Sequence, residues 1–198
     1  MSRTRLERNG AGGGHRQSGD SISGYRRSEY GVHVCMRYVL AREQLVPRPR
    51  PEVFAFFADA ANLERLTPSN LRFSIQTSLP IAMRPGAIIE YRLSLFRFPF
   101  RWRTVIEVFE PGSRFIDVQA AGPYALWRHL HEFVDAPGGT LIRDRVEYAL
   151  PLGPLGKLAH TLFVRRQLEQ IFDHRRSVIE RDFAREQALP PHPAATPR

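Results

Sequence analysis

The chain is poor in cysteine and in lysine. Cys35 is the only cysteine among 198 residues, so no intrachain disulfide can form, and disulfide-stapled scaffolds and cysteine-ligated zinc modules are excluded. Long apolar runs are missing too. Each hydrophobic stretch is broken by Arg, Pro or an acidic residue well short of the ~20 residues that cross a bilayer, and no integral membrane association is expected. The first residues carry Arg and Gly but no apolar core of a secretory signal, which with the lone cysteine predicts a cytoplasmic location. Lys157 is the single lysine, and Arg supplies the rest of the 29 basic residues that stand against 20 acidic ones for a formal charge of +9. That excess is dispersed: +3 over residues 1–35, +5 over 36–188 with acids interleaved, and +1 from Arg198. Such a pattern is a solvated surface rather than a phosphate-tracking patch, and no nucleic-acid partner is expected. Gly12-Gly13-Gly14 has no strand before it and no Lys-Ser/Thr after it, so it is no phosphate loop. The absence of a 20–50-residue repeat removes solenoids and propellers.

What is present is one ordinary domain with tails. Residues 1–35 hold seven glycines among Ser and Arg, too little apolar content to offset the entropy of ordering them, and are expected to be a disordered tail. Met36 stands where patterned sequence begins and is an alternative start. Residues 189–198, broken by Pro190, Pro191 and Pro193, are read as a second disordered tail, leaving 36–188 as the folded domain. Within it, 37–47 reads as a strand. Pro51 opens a helix with Val53, Phe54, Phe56 and Phe57, and Asn62 caps a second short helix with Leu63 and Leu66, ended by Thr67-Pro68. From Leu71 the period is two, with strands over 71–78, 87–96, 99–109, 114–121, 126–135 and 139–149 separated by Pro- and Gly-containing turns. An amphipathic helix then runs to about Gln187. Leu155, Leu158, Leu162, Leu168, Ile171, Phe172, Ile179 and Phe183 form its apolar side, and the pairs Arg165-Arg166 and Arg175-Arg176 its wet face, within reach of a ligand carboxylate at a groove mouth. The predicted class is α+β: a curved seven-stranded antiparallel sheet wrapped around a long C-terminal helix, with two short helices between strands one and two. The groove between sheet and helix is where a small ligand would sit.

Strand parity identifies the residues facing that groove. Over 126–135 one face carries Trp127, His129, His131 and Phe133. Over 139–149, Thr140, Ile142, Asp144, Val146 and Tyr148 alternate with Leu141, Arg143, Arg145 and Glu147, and the charged set must face water. Closing this hairpin with Asp135 opposite Thr140 sets Phe133 against Ile142, His131 against Asp144, His129 against Val146 and Trp127 against Tyr148. A slip of one residue would bury Arg143 and Arg145. The hairpin at Pro111-Gly112 adds Trp102, Thr104, Ile106 and Val108 to the same face, with Phe115, Asp117 and Gln119 beside them and Ile116, Val118 and Ala120 outside. The expected ligand-binding set is Trp102, Thr104, Asp117, Gln119, Trp127, His129, His131, Phe133, Asp144 and Tyr148.

Two histidines, two acids and an amide on one face exceed what packing requires, and buried charge is costly without a use. His131 and Asp144 can be a satisfied pair that fixes register. They can equally act as general acid and base on a carbonyl-bearing ligand, although no nucleophile is paired with them. A His-x-His with a carboxylate also suits Zn or Fe, but no other motif supports a metal, and neither metal nor cofactor is expected. Cys35, with no base partner in view, is expected to be inert.

The order of elements, with Val53-Phe54-Ala55-Phe56-Phe57, Asn62-Leu63-Glu64-Arg65-Leu66-Thr67-Pro68, Gly122-Pro123-Tyr124, Trp127-Arg128-His129-Leu130-His131-Glu132-Phe133 and the run from Gly139-Thr140 to Tyr148, resembles the START-like, or SRPBCC, superfamily in its polyketide cyclase/dehydrase-like, ligand-binding branch. The resemblance covers about residues 36–187 and implies a helix-grip fold, with a hydrophobic cavity for a lipid, polyketide or isoprenoid. It carries no catalytic residue over. The expected function is binding of an apolar or aromatic small molecule in that cavity. One alternative is a cofactor-free cyclase or dehydratase, a lyase or isomerase using His131 and Asp144; another is an interaction module with a filled core.

Overall fold

A computed structural model describes residues 36–95 and 98–188. The two expected disordered tails, and the question of a start at Met36, lie outside those residues. The elements run β1 (Arg37–Val46), α1 (Arg50–Ala58), a 3-10 turn (Ala60–Asn62), α2 (Leu63–Leu66), a second 3-10 turn (Ser69–Leu71), β2 (Ser74–Ile75), β3 (Ile88–Leu95), β4 (Phe98–Glu110), β5 (Arg114–Ala121), β6 (Leu126–Ala136) and β7 (Gly139–Ala149). A helical run follows: α3 (Gly153–Ala159), a π-turn (His160–Val164) and α4 (Arg165–Ala188). The strands form one antiparallel sheet in the order β1-β7-β6-β5-β4-β3-β2, as the short turns demand.

The β6–β7 hairpin has the expected register, with His131 opposite Asp144, His129 opposite Val146 and Trp127 opposite Tyr148. It turns at Gly138 and Gly139, both at positive φ, and a Cβ on Gly139 would collide with the Val46 carbonyl oxygen. Elsewhere the chain departs from simple alternation. A bulge between Ile106 and Val108 sets Val108 opposite Ile116 and Phe109 opposite Phe115. Because an extra residue reverses parity beyond it, Phe109 rather than Val108 joins the interior, where it packs on Phe54 and Phe115. The expected strand over 71–78 contracts to two residues, since Arg72 takes a left-handed φ of 46° after the second 3-10 turn and the backbone leaves the extended region there. Asn62 stands at the N-terminus of α2 but does not cap it; its amide reaches back to the Phe56 carbonyl at 2.9 Å.

The C-terminal run is helical as expected, but its first part shows a different face. Gly156 and His160 point inward, and Leu155, Leu158 and Leu162 are 67%, 55% and 55% exposed. Leu162 and Leu168 are six residues apart, which places them on different faces of a helix, and, preceded by the partly buried Val164, the buried stripe runs from Leu168 through Phe172, Ile179 and Phe183. Those last two join Val46, Val53, Phe54, Phe57, Leu66, Phe115, Phe133, Ile142 and Val178 in a core that fills one end of the groove. Phe133 is central to it, with ring centroids 5.2 Å from Phe57 and 5.3 Å from Phe54. Truncation of Phe133 to Ala is expected to cost about 3–5 kcal/mol in urea denaturation. The same change at Phe98, 69% exposed at the start of β4, is expected to stay within about 0.5 kcal/mol.

Candidate functional site

Where the phenylalanine core ends, the groove stays open as a cavity of about 250 Å³. Its walls come from β3 to β6, α2 and α4, and are chiefly carbon: Ile89, Tyr91, Trp102, Ile106, Trp127, Leu168, Ile171 and Phe172 among others. Two polar tips of the aromatic wall are satisfied within it. Trp102 Nε1 donates to Thr104 Oγ1 at 3.1 Å, and the Tyr91 hydroxyl lies 3.2 Å from the same oxygen, so neither needs a partner from the void. Burial pushes the Tyr91 and Tyr124 hydroxyls far above the ordinary tyrosine range.

Apart from the exposed Asp59, the charge in this wall is gathered around β6. β6 lies between β5 and β7, so the two imidazoles it directs inward meet a carboxylate on either side. On the β7 side, His129 Nε2 donates to Asp144 Oδ1 at 3.0 Å, and His131 Nδ1 stands 2.8 Å from the same oxygen, off the line a hydrogen bond requires. On the β5 side, His131 Nε2 is 3.1 Å and His129 Nδ1 3.6 Å from Asp117 Oδ2. Burial opposes the Asp144 charge, but the hydrogen bond from His129 and the close approach of His131 prevail and hold its carboxyl well below the usual range. Asp117 is lowered by the same contest. Burial, reinforced by the neighbouring His131, pushes His129 down to about 4. Burial acts against His131 as well, yet its contacts with Asp117 and Asp144 raise it. The cluster therefore sets two carboxylates against one imidazole that burial holds in its neutral form and one whose charged form the carboxylates favour. Asp117, His129 and His131 also offer ligand atoms within 4.8 Å of one another, a donor set suited to a divalent cation.

Of the expected residues, Trp102, Thr104, Asp117, Trp127, His129 and His131 line the cavity. The other four stand back from it. Phe133 is in the core, and Asp144 sits behind the histidines. Gln119 fastens the turn after β5, donating to the Tyr124 carbonyl at 2.8 Å and accepting from the Tyr124 N–H at 3.3 Å. The Tyr148 hydroxyl meets His160 Nε2 at 2.9 Å, while Tyr38 stacks on His160 at 3.5 Å. The expectation for Arg175 is overturned: its side chain is 14% exposed and turned inward, with Nη1 3.8 Å from Asp144 Oδ1. The signal was its spacing, because Leu168, Phe172, Arg175 and Ile179 share one helical face. Arg176 remains outside, donating to the Glu43 carbonyl.

In architecture the chain is similar to Ara h 8.0201, with a TM-score of 0.53 and 15% identity over 75% of this chain and 99% of that one. Norcoclaurine synthase of Thalictrum flavum, a point mutant in complex with a transition-state analogue, gives 0.54 and 14% over 75% and 97%. A nucleoside-diphosphate sugar epimerase from Corynebacterium glutamicum gives 0.52 and 28% over 76% of this chain but only 31% of the epimerase. No protein-family model matches the sequence, and no curated protein does. Among the described residues no helix is long and apolar enough to cross a membrane.

The opposed histidines give the cluster a pH signature. As pH falls from 6.5 toward 4, the unfolded chain takes up a proton that folded His129 refuses, and stability drops. As pH rises above 6.5, the proton that folded His131 retains is progressively lost with the stability it confers. Urea midpoints at pH 4.5, 6.5 and 8.5 are expected to peak at 6.5, with His131→Gln flattening the alkaline limb and His129→Gln reducing the acid one.

Proposed function

The chain has the helix-grip fold of the START-like, or SRPBCC, superfamily, and from that premise we propose that it binds an apolar or aromatic small molecule of the lipid, polyketide or isoprenoid class in the cavity between sheet and helix. The observation that carries this reading is the distribution of polarity around the void. The walls are chiefly aromatic and aliphatic, with the polar tips of Trp102 and Tyr91 satisfied on Thr104, and, exposed Asp59 aside, the acids and bases of the lining are gathered around β6, which suits a ligand with an apolar body and one polar group. A dry cavity of ~150 Å³ already holds benzene, so about 250 Å³ accommodates a ligand on the scale of two fused rings.

Trp102 and Trp127 are the two tryptophans of the chain, and both border the void with ring centroids 5.2 Å apart. Saturable binding of an environment-sensitive apolar dye is therefore expected to change the intrinsic emission, and native mass spectrometry of protein purified without delipidation is expected to show a co-purifying small molecule. Ile171→Phe, which narrows the void, is expected to weaken dye binding at least tenfold with the far-ultraviolet spectrum unchanged. Unaltered affinity in that variant would favour a filled core with the dye bound elsewhere.

A second reading, an enzyme of cyclase or dehydratase type, is favoured by one specific feature. Two imidazoles 3.7 Å apart between ring centroids, both lining the void, are driven to opposite protonation states, the arrangement that separates acid from base. In this reading His131 is the acid, and its cavity-side carboxylate partner is Asp117 rather than the recessed Asp144. Norcoclaurine synthase, of the same fold, is an enzyme by name, but fold alone transfers no reaction. A co-purifying ligand that leaves the protein lighter by one water supports this reading over simple binding.

A further inference from the structure

Arg175 is the one charged side chain that α4 turns into the cavity wall, and its hydrogen bonding is incomplete. Nε and Nη1 are both buried and neither finds an acceptor. Asp144, the nearest carboxylate, is 3.8 Å from Nη1, beyond hydrogen-bond reach, and already accepts from His129. The guanidinium is not idle in position: its Cζ lies 5.1 Å from the Phe172 ring centroid, a cation–π contact that holds it over the wall of the void. A buried charged donor without a partner costs the full desolvation of that group, and Arg cannot avoid the cost by losing its proton. His131, by contrast, lies in contact with carboxylates on both sides, so the unmet demand in the wall is for an oxygen acceptor at Arg175.

Resting on the cavity reading above, we propose that the ligand is an apolar carboxylic acid whose carboxyl group is received by Arg175. The guanidinium supplies charge-assisted hydrogen bonds to the carboxyl oxygens, and the hydrocarbon body lies along Trp102, Trp127 and Phe172.

The test compares 1-naphthaleneacetic acid with its isosteric, uncharged amide, 1-naphthaleneacetamide, on the full chain, read by tryptophan emission and dye displacement. The acid is expected to bind at least tenfold more tightly than the amide. Arg175→Gln should remove that gap, chiefly by weakening the acid, and Arg175→Lys should restore part of it. Equal affinities for acid and amide in the unmodified protein, or a gap that persists in Arg175→Gln, would overturn the proposal and leave the cavity reading standing. If neither compound nor dye binds, the cavity reading fails and this inference with it. Should Arg175→Gln not fold, the Nε–H resonance of Arg175 in the unmodified protein decides: it is expected to shift with the acid and not with the amide, and the same response to both overturns the assignment.

Discussion

His129 and His131 are clamped between Asp144 on one neighbouring strand and Asp117 on the other, so three adjacent strands share a single ionic unit deep in the sheet. Such a unit is unforgiving. Removal of one member leaves an uncompensated buried charge, which typically costs about 3–5 kcal/mol, whereas the intact set contributes little net stability over a well-packed apolar replacement. Its effect is to fix geometry. The histidines cannot rotate without losing an acceptor, β6 cannot slip against β7 without separating His131 from Asp144, and the surrounding rings take positions set by the imidazoles, with Phe115 stacked on His131 at 4.3 Å.

From that fixed point the interior divides. Toward the β6–β7 turn the groove is filled by phenylalanine and branched aliphatics. In the middle Trp102 and Tyr91 both turn their polar tips onto Thr104, and the void persists. Phe54 meets Phe115 and Phe133 edge to face, as Phe57 meets Phe133, while Trp102, Trp127 and Tyr124 contact one another along the border of the void. A single stretch of sheet thus supplies both the packing that stabilises the domain and the space that a ligand needs.

How much of this was legible beforehand depended on local redundancy in the sequence. In β7 the alternation of Arg143, Arg145 and Glu147 with apolar residues left one tolerable register, and the His131–Asp144 pairing followed. β4 had no such discipline. Ile106, Val108 and Phe109 are all apolar, so nothing in their composition marked the bulge that exchanges Val108 for Phe109. The helix misled for a similar reason. Leu155, Leu158 and Leu162 keep a helical period among themselves, but the six-residue step from Leu162 to Leu168 places them on a different face from the buried stripe, a break that their shared apolar type concealed. Arg175 was assigned to water because it is charged, although its phase with Leu168 and Phe172 pointed inward. Chemical type prevailed over geometry there, and geometry was the better guide.

The sheet closes by pairing its first strand with its last: Arg37 of β1 lies opposite Ala149 of β7, and the helix that covers the void comes later still. On the ribosome β1 must therefore wait for over a hundred further residues, on the order of ten seconds at usual synthesis rates. Throughout that interval Tyr38 and Leu40, which end against β7 and the helix, have no native partner, and the two halves of the ionic unit are made in succession rather than together. Contacts so distant in sequence slow folding and expose apolar surface to association. The binding space, walled by β3 to β6 and by the helix made last, is complete only once α4 has docked, which makes any ligand a late arrival in the protein's history.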